Sequence, residues 1–238
     1  MRTPRLLFAL MVLCLLTACG GGNKPTDNPN ENPIAESEPE AEPEEPQEVT
    51  AVCIWNGVGV RQDADPKSKW LTSLGKGEKV AYLNESTTIN DGKADREYYK
   101  IKLTDGTVGW ARKDFVVADG KPVVVTKESS IYKRPDLLTK SDKMFKPMDI
   151  IAVKGENGDF YEVIGQRGDG KWIDKGYIKQ SNLSYSDVDI AVAKFYHNAM
   201  SKESDIEQLE ALSEILNNND LSGSAFDEII QEKALSLQ

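Results

Sequence analysis

The sequence predicts a mainly β protein in which two small β modules follow one another and a short α-helical region comes last. Three observations support this fold class. Short β-rich runs separated by turn signals fill residues 51–184, one set of runs recurs 62 to 70 residues later, and the period becomes helical after Ser184. Many short strands with few helical periods are typical of a small barrel or sandwich.

The first module, residues 51–118, opens on the apolar run Val52-Cys53-Ile54, in which Cys53 is expected to be an inert core residue. The pair Asp105-Gly106 predicts a tight hairpin, because it supplies the positive φ that a primed turn needs. The strand candidates are 58–61, 79–83, 98–103, 107–111 and 115–117.

The second module, residues 121–184, repeats three segments of the first. Because their order is kept, two modules of similar plan are expected, each about the length at which a small barrel can hold a core. The matching segments are Tyr98-Tyr99-Lys100-Ile101 with Phe160-Tyr161-Glu162-Val163, Gly109-Trp110-Ala111 with Gly176-Tyr177-Ile178, and Lys79-Val80-Ala81 with Asp149-Ile150-Ile151.

Residues 186–238 predict three amphipathic helices that close on one another or lie on the second module. Ser204 and Glu207 form a capping-box pattern, and Ser224 is the expected N-cap of the third helix. The side chains expected to point inward are Val188, Ala191, Phe195 and Met200 in the first helix, Ile206, Leu209, Ile215 and Leu216 in the second, and Phe226, Ile229, Ile230 and Ala234 in the third.

The N-terminus has the layout of a signal peptide. Arg2 and Arg5 precede the apolar run 6–16, which is too short to span a bilayer. The next four residues, Leu16-Thr17-Ala18-Cys19, resemble the bacterial lipobox. This resemblance implies that residues 1–18 are removed and that the Cys19 thiol is lipidated. The alternative is an ordinary secretory signal that ends near a cysteine.

Residues 19–50 have few apolar side chains with which to stabilise a fold. Between residues 20 and 48 the chain has nine acidic residues, six prolines and one basic residue, Lys24. We therefore expect an extended tether behind the lipidated cysteine. The location expected is the cell envelope, with the lipid in the outer membrane if the organism has one and otherwise in the outer face of the cytoplasmic membrane.

Charge and cysteine content exclude several functions. Residues 51–185 have a net charge of +4 and residues 186–238 a net charge of −8, so neither segment offers the concentrated basic face that nucleic-acid binding requires. Cys14 leaves with the signal peptide and Cys19 is acylated, which leaves Cys53 as the one free thiol. An internal disulfide and a cysteine metal cluster are therefore not expected.

The sequence offers little that could perform catalysis. His197 is the only histidine, and it is expected on a helix surface. The chain has no His-Glu-x-x-His motif and no phosphate-binding Gly-Lys-Ser/Thr loop. The run from Asn218 to Gly223 starts like a calcium loop, but Ile229 stands where the glutamate ligand belongs. We expect no enzyme, no metal and no cofactor.

Four segments of the first module carry a family resemblance: Val58-Gly59-Val60-Arg61, Leu74-Gly75-Lys76-Gly77-Glu78-Lys79-Val80, Tyr98-Tyr99-Lys100-Ile101 and Asp105-Gly106-Thr107-Val108-Gly109-Trp110. In order and spacing they resemble the bacterial SH3-like (SH3b) domain. The second module departs from the pattern at 130–135, at 145–148 and at Tyr177. The resemblance implies two SH3-like barrels, the second with a different surface.

Binding of a cell-wall (peptidoglycan) peptide or an envelope protein is the function that the resemblance implies. The alternative is a structural spacer, or a subunit of an envelope lipoprotein complex without a ligand of its own. The candidate ligand-binding residues are Arg61, Asp63, Trp70, Tyr98 and Trp110.

These candidates surround a long polar loop that Arg61 opens and Trp70 closes. Strand alternation predicts Tyr98 on the face opposite the core, while Trp110 is expected to be largely buried. Arg61 would bind a ligand carboxylate in a bidentate contact, and Trp70 and Tyr98 would be aromatic platforms. The alternative is that Trp70 and Tyr98 cap the barrel core.

Overall fold

Two curled seven-stranded antiparallel sheets and three helices make up the residues that the computed structural model describes, 48–168 and 170–238. These residues belong to a unit of the chain that begins at Glu45. The predicted signal peptide, the Cys19 lipidation site and nearly all of the tether lie outside the described residues. Within the described residues, no helix is long and apolar enough to cross a membrane.

The first sheet has the strand order β3-β2-β6-β5-β4-β1-β7. Every predicted strand of the module is present, and β4 and β5 extend further than predicted. Bulges shift the register between Tyr82 and Ser86 and between Val60 and Arg61, which bends the sheet. The strands are β1 (Val49–Cys53), β2 (Val58–Arg61), β3 (Trp70–Leu74), β4 (Lys79–Asn90), β5 (Asp95–Lys102), β6 (Val108–Arg112) and β7 (Val116–Ala118).

The second sheet repeats this order with every strand number raised by seven, β10-β9-β13-β12-β11-β8-β14. The predicted internal repeat is therefore confirmed in the strand topology. The strands are β8 (Lys121–Val125), β9 (Ser129–Tyr132), β10 (Lys140–Phe145), β11 (Ile150–Asn157), β12 (Phe160–Gln166), β13 (Ile173–Lys179) and β14 (Leu183–Ser184).

Two local predictions in the first sheet are wrong. Val49 and Thr50, which were assigned to the tether, belong to β1 and pair with β4. The hairpin at Asp105-Gly106 forms, but only Gly106 has a positive φ (86°) there, and its amide donates to the Leu103 carbonyl. A type I turn followed by a left-handed glycine therefore replaces the primed turn.

Each sheet has its own apolar core, and a third apolar cluster joins the two sheets. In the first sheet, Val60, Ile101 and Ala111 are fully buried on the inner face. In the second, Phe145 and Ile178 take that place. The joining cluster consists of Val52, Ile54, Val117 and Ala152, against which Ile164 and Ile173 pack.

The helical region packs on itself and on the second sheet at once, so both arrangements left open by the sequence are present. Val124, Met148 and Ile150 of the second sheet share a buried cluster with Phe226 and Ile230. The predicted capping box between Ser204 and Glu207 is confirmed. The helices are α1 (Asp187–Met200), α2 (Asp205–Asn217) and α3 (Asp227–Leu235).

The predicted inward faces of the first two helices are partly wrong. Phe195 is half exposed and Ile206 is 71% exposed, whereas Ile190 and Ala193 are buried. In α1, Asp189 is a buried carboxylate, and the face that carries it lies toward the core. The face predicted for the third helix is confirmed at Phe226, Ile230 and Ala234, which are buried, with Ile229 partly so.

The start of the third helix also differs from the prediction. Phe226, rather than Ser224, is the N-cap residue of α3. The Ser224 hydroxyl instead donates to Asp189 Oδ1 at 2.8 Å and accepts from the Phe226 amide at 3.2 Å. Ser224 therefore links the start of α3 to α1.

Candidate functional site

Four side chains form a row across the outer face of the first sheet. Arg61 on β2 pairs with Trp70 on β3 and with Trp110 on β6, and Trp110 pairs with Lys100 on β5. Directly paired residues of antiparallel strands project from the same face. We call Trp70, Arg61, Trp110 and Lys100 the outer row.

Trp70 is the most exposed member of the outer row, with 56% of its surface accessible. Its Nε1 donates to Ser73 Oγ at 3.3 Å. A Cβ atom built on Gly59 would lie 3.9 Å from Trp70 Cδ1, so the indole lies beside a position without a side chain. The ring is held near its own sheet while much of it faces solvent, as an aromatic contact surface requires.

Arg61 and Asp63 hold the loop that separates β2 from β3. Arg61 Nη1 donates to the Ser68 carbonyl at 2.6 Å. Ser68 Oγ donates to Asp63 Oδ2 at 3.0 Å, and the Asp63 amide donates to Ser68 Oγ at 2.9 Å. The guanidinium has five N–H donors, so this contact leaves others for a ligand. The structure places Asp63 on the loop itself rather than in the outer row.

Trp110 is not the core residue that the sequence predicts. Gly109 and Ala111 are buried on the inner face, so Trp110, which lies between them, projects outward and is only partly buried. Lys100 Nζ lies 5.8 Å from the Trp110 ring centroid, within cation–π range. Lys100 also donates to Glu85 at 2.7 Å, so this end of the outer row is close to neutral.

Tyr98 is not the exposed platform that the sequence predicts, because only 4% of its surface is accessible. It lies two residues before Lys100 and pairs with Thr87 on β4 and Arg112 on β6. β4 extends past it and is seven residues longer at this end than predicted, whereas β6 ends at Arg112, directly opposite Tyr98. Tyr98 and Trp70 therefore differ in exposure, and only Trp70 is open to a ligand.

The second sheet has different chemistry at the equivalent positions. Tyr132 pairs with Lys140 and with Tyr177, and Tyr177 pairs with Glu162. Lys140 thus takes the position of Trp70, and Tyr132 takes the position of Arg61. Glu162 takes the position of Lys100. The surface of the second sheet does not reproduce the outer row.

Cys53 and His197, the candidates for a nucleophile and a base, are both engaged in hydrogen bonds. Cys53 is fully buried, its thiol donates to the Trp55 carbonyl at 3.0 Å, and burial raises the pKa of this thiol to about 12. It is therefore protonated at neutral pH, as expected of a core cysteine. His197, predicted on a helix surface, is partly buried, and its Nε2 donates to the Met148 carbonyl at 2.9 Å.

In the segment from Asn218 to Gly223, which resembles the start of a calcium loop, the polar groups form hydrogen bonds within the segment or with the start of α3. Asn218 Oδ1 accepts from the Asp220 amide at 2.9 Å, and Asp227 Oδ2 accepts from the Gly223 amide at 3.2 Å. Among residues 48–168 and 170–238, no group of three or more histidine, cysteine or acidic side chains is placed to hold a metal ion.

Comparison with known proteins gives only distant similarities. No family model matches the chain, and no curated protein matches it. The solved structure of NlpC2 from Trichomonas vaginalis matches 72% of this chain and 57% of its own at 14% identity, with a TM-score of 0.24. NlpC1 from the same organism matches 66% and 55% at 14% identity, with a TM-score of 0.25. The chain thus spans little more than half the length of either, and similarity at this level establishes neither fold nor activity.

Proposed function

We propose that this chain is a non-catalytic envelope lipoprotein, anchored by lipid on Cys19 and built from two SH3-like domains. Three features support the proposal. The segment before Cys19 resembles a lipobox, the segment after it is acidic and rich in proline, and the two sheets share one strand order. The tether would hold the folded unit away from the membrane and within reach of the cell wall.

Within this chain, we propose that the outer row binds a cell-wall peptide or an envelope protein. The observation that carries this proposal is the exposure of Trp70 beside Arg61 and Trp110 on one sheet face. Two aromatic rings offer flat surfaces on which a peptide or a sugar can stack. Arg61 lies between them and can hold a carboxylate through two parallel hydrogen bonds.

The first sheet is the better candidate for binding because the second lacks these groups. Lys140 stands where Trp70 stands in the first sheet, and Tyr132 stands in place of Arg61. The second sheet instead packs against the first sheet and the helices through apolar clusters. Its proposed role is to support the binding domain.

Replacing Trp70 with alanine should abolish most binding without unfolding the protein. A central aromatic at an interface commonly accounts for about 2 kcal/mol or more, so retention on purified peptidoglycan should fall about tenfold or more. Because Trp70 is more than half exposed, thermal stability should change little. A sedimentation assay with the full chain measures the retention, and circular dichroism verifies the fold.

The matched control is Trp172→Ala. It removes an exposed tryptophan (79% accessible) from the loop between β12 and β13 of the second sheet. This variant should bind as the unchanged protein does. Equal retention of the Trp70 and Trp172 variants would exclude the outer row as the binding site. If the unchanged protein does not bind peptidoglycan, the same pair of variants is compared for capture of a purified envelope protein, and no binding to either supports the spacer alternative.

A further inference from the structure

The loop between β9 and β10 exposes two adjacent leucines. Leu138 is 93% exposed, more than any other large apolar side chain among the described residues, and Leu137 is 55% exposed. We call residues 133–140 the leucine loop. Large apolar side chains that are exposed together mark a contact surface more often than single ones do. The leucine loop is therefore a candidate for such a surface.

Hydrogen bonds within the leucine loop fix its conformation. Residues 137–139 form a 3-10 turn, and Asp136 Oδ1 caps its start by accepting from the Leu138 amide at 2.9 Å. Thr139 Oγ1 accepts from the Arg134 amide at 3.1 Å and donates to the Arg134 carbonyl at 2.9 Å. Because an ordered turn presents the leucines, little conformational entropy has to be lost when a partner covers them.

Three cations flank the two leucines. Lys133 and Arg134 precede them and Lys140 follows, and Asp136 is the one acidic residue of the loop, which leaves a net charge of +2. The three basic side chains are exposed, and none of them forms an ion pair with another described residue. The loop can therefore attract an anionic surface although the whole chain has a net charge of −10.

The first sheet has a loop at the equivalent place that lacks these features. Residues 62–69, between β2 and β3, contain two acidic and two basic residues and no large apolar side chain. Ala64 in that loop is buried. Since the two sheets share one strand order, the fold itself does not require exposed leucines or a surplus of positive charge here.

An open groove of about 680 Å³ continues the apolar surface beside Leu137. Tyr161 and Tyr185 line it with ring centroids 5.9 Å apart, and Tyr185 is 44% exposed. Lys179 and Asp159 also line the groove, so their charges offset each other. Tyrosine combines an apolar ring with a polar hydroxyl, which suits the boundary between water and an apolar phase.

An anionic lipid bilayer has the chemistry that fits this arrangement. Its negative headgroups lie above an apolar layer, so exposed leucines enter the apolar layer while flanking cations stay at the headgroups. We propose that the leucine loop docks on an anionic bilayer, with its two leucines inserted among the acyl chains and its three cations at the phosphate groups. The loop shares no residue with the outer row, and its docking does not depend on the proposed lipid anchor.

Such a contact is compatible with the function proposed for the first sheet. Two side chains bury far less apolar surface than a lipid chain, and a single lipid chain already gives only reversible membrane binding. The folded unit can therefore leave the bilayer, and a long tether then lets it reach the cell wall.

A fluorophore on the leucine loop tests the proposal. The full chain carries Cys14→Ser, Cys19→Ser and Pro135→Cys, so the reagent reaches a thiol only on the loop, because Cys53 is buried. Vesicles of phosphatidylcholine with phosphatidylglycerol, containing a lipid spin-labelled in its acyl chain, should quench the fluorophore. Vesicles without phosphatidylglycerol should quench it much less. The readout is local to the loop, so it is valid whether or not the outer row binds a peptide or Cys19 is lipidated in the natural protein.

The matched position is Pro66, which is exposed in the corresponding loop of the first sheet. A fluorophore attached through Pro66→Cys, in place of Pro135→Cys, should be quenched little by either kind of vesicle. Equal quenching at the two positions, equal quenching by the two kinds of vesicle, or no quenching at all would overturn the proposal.

Replacing both leucines tests the apolar part of the contact. In the chain labelled through Pro135→Cys, Leu137→Ser with Leu138→Ser should raise the lipid concentration for half-maximal quenching about tenfold or more, because the inserted apolar surface is lost. Both side chains are exposed, so the protein should stay folded, as circular dichroism verifies. An unchanged lipid concentration in the folded variant would show that the leucines do not insert.

Removing two cations tests the charged part. Lys133→Gln with Arg134→Gln should raise the same lipid concentration about tenfold, since each basic residue near an anionic surface adds to the attraction. Lys67→Gln with Lys69→Gln removes the same charge from the loop of the first sheet and should have little effect. Equal effects of the two double substitutions would reduce the interaction to general electrostatics and overturn the site.

Discussion

Asp189→Ala is expected to cost about 3–5 kcal/mol of unfolding free energy, because it leaves three buried or partly buried donors without their acceptor. The Asp189 carboxylate accepts from Ser184 Oγ at 2.5 Å, from Ser224 Oγ at 2.8 Å and from the Ala225 amide at 2.8 Å. It thereby connects the end of the second sheet, α1 and the segment before α3. Urea denaturation of the full chain measures the loss.

The control for this prediction is Asp187→Ala, two residues earlier on the same helix. The Asp187 side chain is 82% exposed and pairs with Lys79 at 3.0 Å, so its loss should cost about 1 kcal/mol or less. If the two substitutions were equally mild, the buried contacts of Asp189 would not hold the helical region to the second sheet as we describe.

Gly109→Ala is expected to destabilise the first sheet by about 2–3 kcal/mol, in the range for overpacking a filled core. The new Cβ would lie 2.7 Å from Val60 Cγ1 and 2.8 Å from the Arg61 carbonyl oxygen. The second of these is backbone, so β2 itself would have to move. In a unit of this size the thermal midpoint should fall by about 4–12 °C.

Gly59→Ala is the matched control, because it also adds a methyl group to a strand of the first sheet. A Cβ there would have only Trp70 Cδ1 within 4 Å, at 3.9 Å, which is ordinary contact. Its thermal midpoint should change by no more than about 2 °C. A Gly109 variant as stable as the Gly59 variant would mean that β2 and β6 do not approach as closely as the structure indicates.

Strand positions and the internal repeat could be predicted because both depend on local signals. Alternation and turn residues mark each strand, and the two sheets share the pattern of a glycine followed by an aromatic, Gly109-Trp110 and Gly176-Tyr177. What alternation does not reveal is which face is the core when both faces have large side chains. Trp110 was assigned to the core for that reason, since the close approach of β2 to β6 is a long-range property. Tyr98 was assigned to the correct face, but its burial on that face depends on neighbours from other segments, which alternation does not reveal.

The inward face of α1 was mispredicted because the sequence does not show that Asp189 is buried. A buried aspartate breaks the rule that charged side chains lie outside, and one of the partners that satisfy Asp189, Ser224, is 35 residues away in sequence. The pocket lined by Lys76, Gln166 and Lys194 could not be predicted either. These residues belong to separate segments, and no spacing in the sequence indicates that they meet.

For the outer row, the sequence predicted Arg61, Trp70 and Trp110 as candidates but did not show that they are cross-strand neighbours. Their adjacency depends on the bulge between Val60 and Arg61, which sets Arg61 opposite Trp70. Lys100, the fourth member, carried no signal of its own, although strand alternation placed it on the outer face.

The proposed function depends on export and anchoring, since a protein that never reaches the envelope cannot meet the cell wall. Mass spectrometry of the mature N-terminus, on protein taken from the cells that naturally produce it, tests this most directly. We expect Cys19 as the first residue, with a diacylglycerol on its sulfur. We also expect the Cys19→Ser protein to stay uncleaved or become soluble, because a serine hydroxyl is a far weaker nucleophile than a thiolate. An unmodified N-terminus at any other residue would contradict the account.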